Sequence, residues 1–257
     1  MATSPKNLSD AHTAMQPLKG RKALITGGTT GIGRAIGVLL ASEGVEVFTC
    51  GREQAHLDDA LARIREVGGT ANGIALDLAE AGNVDRFFEQ AESALGNYDI
   101  AIMNAAIAAE GLTHMDEDAV RYAVAVDFTA YVIGAHKAAS TMGDTGDLIL
   151  IGSTSAHTLG PDSTVYSGIK AGIAGFAEAL RKEAGQKGIR VSLIEPGSTG
   201  ADMQYPDVPA DKQREQINAD QMLRAEDIAV GVHYLLTQPR RAVVQQLSIV
   251  PRVKSEE

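Results

Sequence analysis

A single cysteine, Cys50, is all the sulfur chemistry available to this 257-residue chain. No internal disulfide can form, which predicts a reducing, cytoplasmic setting. Basic residues are also short: 23 Lys and Arg stand against 33 Asp and Glu, a formal charge of −10. That sign excludes the electrostatic footprint of a nucleic-acid or anionic-membrane binder, and we read it as solubility. No window is apolar for long enough to span a bilayer, so no membrane association is expected. Residues 1–17 carry Lys6 but no continuous apolar run, so a secretory signal is not expected either. The six histidines lack ligand spacing, and no metal site is predicted. The acidic run His114-Met115-Asp116-Glu117-Asp118 is read as a helix start that complements the dipole.

The chain does have apolar material, at 44%, and 27 glycines. Its apolar runs alternate with helical patterns. Strands are predicted at Lys22–Thr26, Glu46–Cys50, Asn72–Leu76, Asp99–Met103, Asp147–Ile151, Arg190–Ile194 and Val244–Ile249. Helices are predicted at Ile32–Ser42, Gln54–Glu66, through Phe87 and Ala91, Asp118–Ala139, Thr164–Ala184 and Asp227–Leu236. The sixth strand is expected to stop before Glu195-Pro196. Such alternation means βαβ units: an α/β, doubly wound, Rossmann-type parallel sheet of about seven strands with helices on both faces. No linker divides it. The expected organisation is a flexible tail over residues 1–17 and a single dinucleotide-binding and catalytic domain over residues 18–257.

The first strand runs into Thr26-Gly27-Gly28-Thr29-Thr30-Gly31-Ile32-Gly33 and then a helix. Gly27 permits the tight turn, Gly31 lets backbone approach a pyrophosphate, and Gly33 lets the helix lie against the sheet. The free N–H groups at the helix start then face the phosphates. Glycine triplets alone serve many turns. Between a first strand and a first helix, this one predicts nucleotide binding.

The Thr-Gly-xxx-Gly-Ile-Gly spacing resembles the short-chain dehydrogenase/reductase family, in its compact single-domain branch. The resemblance runs from about Lys19 to Pro251. It implies that Asn104-Ala105-Ala106 stands for the family's Asn-Ala-Gly step, with Asn104 bracing the sheet beside the adenine ribose. It also implies that Asp77-Leu78 makes the adenine-edge contact. Asp77 has a second reading, as N-cap of the helix that follows.

Tyr166-Ser167-Gly168-Ile169-Lys170 matches the family's Tyr-xxx-Lys, and Ser153 lies upstream on the loop after the fifth strand. Positions 166 and 170 share a helix face. A free tyrosine, with a pKa near 10, is a poor base at neutral pH. An adjacent ammonium favours tyrosinate, so Lys170 makes Tyr166 usable as acid/base while also holding the nicotinamide ribose. Ser153 would polarise the substrate oxygen. Where the family places an asparagine that orders a proton path, this chain has Asp127, which keeps acceptors and loses the amide donors. Pro196-Gly197-Ser198-Thr199 resembles the turn beside the nicotinamide carboxamide. The threonine often found further on is Ala201 here, with Ser198 or Thr199 as substitutes.

Cofactor choice rests on Cys50-Gly51-Arg52-Glu53 at the end of the second strand. A carboxylate there would accept from a ribose 2′-hydroxyl, whereas this chain offers glycine and then a guanidinium suited to a 2′-phosphate. NADP(H) is favoured over NAD(H); in the alternative Arg52 stacks on adenine. The expected partner is a small carbonyl or alcohol substrate, walled by residues 105–113, 154–161 and 200–221, the last carrying Met203 and Tyr205. Ala-, Gly- and Val-rich stretches in the two long helices predict a homo-oligomer, a dimer or tetramer. Two other functions share parts of this pattern: a non-catalytic NAD(P)-binding sensor or scaffold, and an NAD(P)-dependent epimerase or dehydratase.

Overall fold

The computed structural model describes residues 15–200 and 208–253. Seven parallel strands form one sheet in the order β3-β2-β1-β4-β5-β6-β9: β1 (Lys22–Ile25), β2 (Glu46–Gly51), β3 (Thr70–Ala75), β4 (Ile100–Met103), β5 (Asp147–Ile151), β6 (Arg190–Pro196) and β9 (Gln246–Ile249). Their side chains alternate between two cores, as the two-residue repeat of a strand requires. Ala23, Ile25, Ile100, Ile102, Ile149, Ile151 and Ile194 face α1 (Gly31–Ser42), α2 (Gln54–Glu66) and α8 (Ala225–Thr237). Leu24, Ala101, Met103, Leu148, Leu150 and Leu193 face α3 (Asn83–Leu95), α5 (Ala130–Thr141) and α6 (Thr164–Ala184). Both faces are covered, which is why a strand such as Asp147–Ile151 is buried throughout. No helix among the described residues is long and apolar enough to cross a membrane.

Three departures from expectation matter. The helix expected as one piece over 118–139 is interrupted: α4 (Glu117–Val124) runs into a π-helical turn, Ala125–Thr129, before α5 begins. Strand β6 continues through Pro196. Leu193 N donates to Gln245 O (3.0 Å), just before β9, and Gly197 N to Ile249 O (2.8 Å) at its end. By alternation position 196 faces the β5 side, where the ladder has already ended at Ile151, so the missing proline N–H breaks no rung. The polar stretch 200–221 contains a helix, α7 (Ala210–Asn218), and is bracketed by a two-residue pairing of β7 (Thr199–Gly200) with β8 (Leu223–Arg224). Ala201, Met203 and Tyr205 lie outside the described residues, as do residues 1–14 of the expected tail.

The two ends of the sheet differ in chemistry. At the N-terminal ends of the strands, Asp147 accepts from Arg21 (2.7 Å), Arg190 (2.5 Å) and Arg240 (3.2 Å), and Arg21 also pairs with Asp99. This cluster ties β1, β4, β5 and β6 together. The C-terminal ends open into a cavity.

Candidate active site

The cavity measures about 460 Å³ and follows the C-terminal ends of β1, β2, β4, β5 and β6. One end is the glycine turn. Gly27 has φ +65°, and a Cβ placed there would lie 2.7 Å from Ala105 Cα, so only glycine fits beside the β4 loop. Asn104 Nδ2 braces that turn by donating to the carbonyls of Thr26 (3.1 Å) and Gly27 (3.0 Å). Thr26 Oγ1 in turn accepts from Asn104 N (2.9 Å) and Ala105 N (3.1 Å). Helix α1 starts here with Thr30 as N-cap, without a side-chain cap bond and without an acidic residue in its first turn. Its first N–H groups and positive dipole end are left for an anion. Thr29, Thr30, Gly31 and Ile32 line this end.

At the other end lie Ser153, Tyr166 and Lys170. Ser153 caps the short turn Thr154–Ala156, its Oγ accepting from Ser155 N at 3.1 Å. Lys170, only 1% exposed, must find partners for its charge. Nζ donates to Ile151 O (3.2 Å), the carbonyl that also accepts from Tyr131 Oη (3.1 Å). The ammonium lies 5.3 Å from the Tyr131 ring centre and 5.4 Å from that of Tyr166.

Asp127 stands behind this wall rather than in it. It is fully buried on the π-helical turn, with Oδ1 accepting from Ile107 N (2.8 Å) and Oδ2 without a partner among the described residues. Burial pushes its carboxyl up to about 6, against the opposing pull of Lys170 and the Ile107 N–H. Its neighbour Val126 does line the cavity.

The end beside β2 is lined by Gly51, Arg52, Glu53, His56, Asp77 and Leu78. Arg52 Nη1 donates to Tyr122 Oη (3.1 Å), and Tyr122 Oη donates to Asp77 Oδ2 (2.6 Å). Asp77 does not cap α3, whose N-cap is Gly82; it closes a turn by accepting from Ala79 N at 2.9 Å. Cys50, also in the lining, is buried and its thiol is pushed up to about 12, so it is no nucleophile.

Thus the glycine-loop residues Gly27 and Thr29 to Ile32, then Arg52, Asp77, Leu78, Asn104, Ala105, Ala106, Ser153, Tyr166, Lys170 and Pro196 share one cavity. Gly33, Asp127, Gly197, Ser198 and Thr199 are outside its lining. Thr199 is fully buried, with its hydroxyl donating to Gly197 O (2.9 Å). Two of the expected substrate walls meet: Gly111 lies against Pro161 and Asp162, and Leu112 N donates to Thr164 Oγ1 (2.8 Å). The acidic run at 114–118 resolves into a cap, with Asp116 accepting from Ala119 N at 2.8 Å. Sequence reasoning missed Tyr122 and Tyr131. Neither leaves a local signal, because each acts through a partner distant in sequence: Arg52 for Tyr122 and Ile151 for Tyr131.

A family model described as short chain dehydrogenase matches residues 21–212. An uncharacterised oxidoreductase of Staphylococcus aureus (strain MRSA252) is 28% identical over 240 residues, 92% of this chain and 100% of the relative. A 3-oxoacyl-(acyl-carrier-protein) reductase of Haemophilus influenzae is 31% identical over 225 residues, 85% of this chain and 91% of the relative. A solved short chain dehydrogenase from Burkholderia cenocepacia J2315, in complex with NADP, superposes with a TM-score of 0.81 at 29% identity. That match covers 91% of this chain and 98% of the other.

Proposed function

The chain is an oxidoreductase that belongs to the short-chain dehydrogenase/reductase family, and on that premise we propose that it transfers a hydride between NADP(H) and a carbonyl or alcohol carbon, with Tyr166 as acid/base. The observation that carries this reading is the convergence of Ser153, Tyr166 and Lys170 at one end of a cavity whose other reaches are a glycine turn and an arginine.

The residues present fit a dinucleotide. The glycine turn has no room for a Cβ at Gly27, and the uncapped α1 N-terminus offers N–H donors to a pyrophosphate. Arg52 supplies a fork for a 2′-phosphate, while the neighbouring Gly51 cannot serve as the acid that would select a bare ribose. NADP in the Burkholderia cenocepacia relative supports the same choice.

A bound nicotinamide would supply the hydride in reduction and accept it in oxidation. The chain's own work is then on the oxygen. Ser153 Oγ donates to the substrate oxygen and holds it beside Tyr166. Tyr166 Oη gives that oxygen a proton in reduction and takes it away in oxidation. The buried Lys170 ammonium, 5.4 Å from the Tyr166 ring centre, favours the tyrosinate form that proton abstraction needs. Because Ile151 O and the Tyr131 ring fix Nζ from behind, that field is in place before substrate arrives.

The test is Tyr166→Phe against a panel of ketones, aldehydes and alcohols, followed by nicotinamide absorbance with each cofactor. Turnover should fall by about 10²-fold or more, the scale of general acid–base catalysis. NADPH affinity, read by fluorescence quenching, should stay within about threefold, since only a hydroxyl is lost. Turnover close to wild type would remove Tyr166 from the mechanism.

A further inference from the structure

We propose that Tyr122, a residue outside the expected site, is the positioning residue for cofactor selection: it keeps Arg52 aimed at a 2′-phosphate and out of a direct pair with the carboxylate of Asp77. The inference rests on the NADP(H) reading and says how this chain builds that preference.

Arg52 sits on the exposed turn between β2 and α2, where the only ionised neighbour in sequence is Glu53. A long, solvent-facing guanidinium in such a place samples many rotamers, and one that must meet a phosphate needs to be held. The holding contact comes from 70 residues away, on α4: Arg52 Nη1 donates to Tyr122 Oη at 3.1 Å. The order of the chain is forced. A carboxylate has only acceptors, so the single phenolic proton goes to Asp77 Oδ2 at 2.6 Å, and the phenolic oxygen is left to accept from Arg52. Asp77 is itself fixed by Ala79 N at 2.9 Å. Orientation therefore passes from the backbone after β3, through Asp77 and Tyr122, to Arg52.

The intervening phenol also separates two charges. Without it, Arg52 and Asp77, which line the same end of the cavity, could form a direct pair. A bidentate pair would occupy the face of the guanidinium that a phosphate needs and would neutralise it. With Tyr122 between them, one N–H of the five is used and the charge remains available. Asp77 in turn keeps its other oxygen on the backbone and stays out of the phosphate's way.

Binding of adenosine 2′,5′-bisphosphate and of adenosine 5′-monophosphate, measured by calorimetry on the full chain, tests this without any turnover. Wild type should prefer the bisphosphate. Tyr122→Phe, which keeps the ring and its packing, should weaken the bisphosphate by about tenfold, the worth of one charge-assisted hydrogen bond. The monophosphate should be unchanged, and KM for NADPH should rise while kcat holds. In an Arg52→Ala background Tyr122→Phe should have no further effect, because its action runs through Arg52. Equal losses for both nucleotides would make Tyr122 a packing residue, and an unchanged bisphosphate affinity would make the contact idle; either overturns the proposal. A wild type that does not distinguish the two nucleotides would instead overturn the NADP(H) reading, and the proposal with it.

Discussion

Gly51 shows how much one missing Cβ decides. A Cβ placed there would lie 2.2 Å from Thr29 Oγ1 and 2.5 Å from Thr29 Cγ2, and Thr29 is buried within the glycine turn. An acidic side chain at the end of β2 would thus have to displace a threonine that lies 22 positions earlier in sequence. The sequence displayed the outcome, glycine followed by arginine, but not the clash that enforces it. Two substitutions that look alike on paper should therefore part. Arg52→Asp sits on an exposed turn with room, and should move the ratio of kcat/KM for NADH over NADPH upward by tenfold or more, roughly the value of the lost charge-assisted bonds. Gly51→Asp should instead destabilise the fold by about 1–3 kcal/mol through overpacking, lowering Tm by several degrees without a gain in NADH use. Thermal melts and the two cofactor ratios check both. A Gly51→Asp protein that melts with wild type and uses NADH well would mean that Thr29 yields easily.

At the scale of elements, strands and helices were legible because each carries its own period, whereas the π-helical turn Ala125–Thr129 does not. The alanine- and valine-rich run from α4 to α5 has helical composition throughout, and one residue more per turn barely disturbs the apolar spacing. Yet that turn is what buries Asp127 next to Ile107 N and Lys170. Its energetic signature has a definite sign. The carboxyl, raised from 3.8 to about 6 by burial, binds its proton more tightly in the folded chain than in the unfolded one. Its contribution is therefore whole below pH 3.8 and is lost as pH climbs to about 6, a change on the order of 3 kcal/mol. Asp127→Asn keeps the Oδ1 acceptor and removes the titration. Denaturant unfolding should show the variant more stable than wild type by about 1–3 kcal/mol at pH 8 and nearly equal at pH 4. If the negative charge also offsets the pull of Lys170 on Tyr166, the same variant should carry the alkaline limb of alcohol oxidation to lower pH. Stability that changes while the pH–rate profile stays put would confine Asp127 to the fold.

On the scale of the whole molecule, the parallel order of the strands followed from alternation alone, and with it the location of the site at their C-terminal ends. Contacts between distant segments did not: neither the Arg21, Asp99, Asp147, Arg190, Arg240 cluster nor the reach of Tyr122 to Arg52 leaves a local period to read. The outer surface adds a last consequence. Val124 and Ile133 are 38% and 40% exposed on α4 and α5, and Gly168 and Gly175 on the neighbouring α6 face open space, where another helix can approach closely. Elsewhere α8 exposes Val230 and Tyr234, β9 is the last strand of the sheet, and exposed Val250 follows that strand. An edge strand with apolar neighbours invites pairing. Each face can meet its own copy across a two-fold axis, and two different two-folds close into a dihedral tetramer. We propose that assembly. Light scattering at micromolar concentration should return four times the 27.0 kDa chain mass, and Val230→Glu with Tyr234→Glu should reduce it to a dimer by loading charge onto one face only. A wild-type monomer would refute the assembly, and a double variant that stays tetrameric would show that the α8 face takes no part in it.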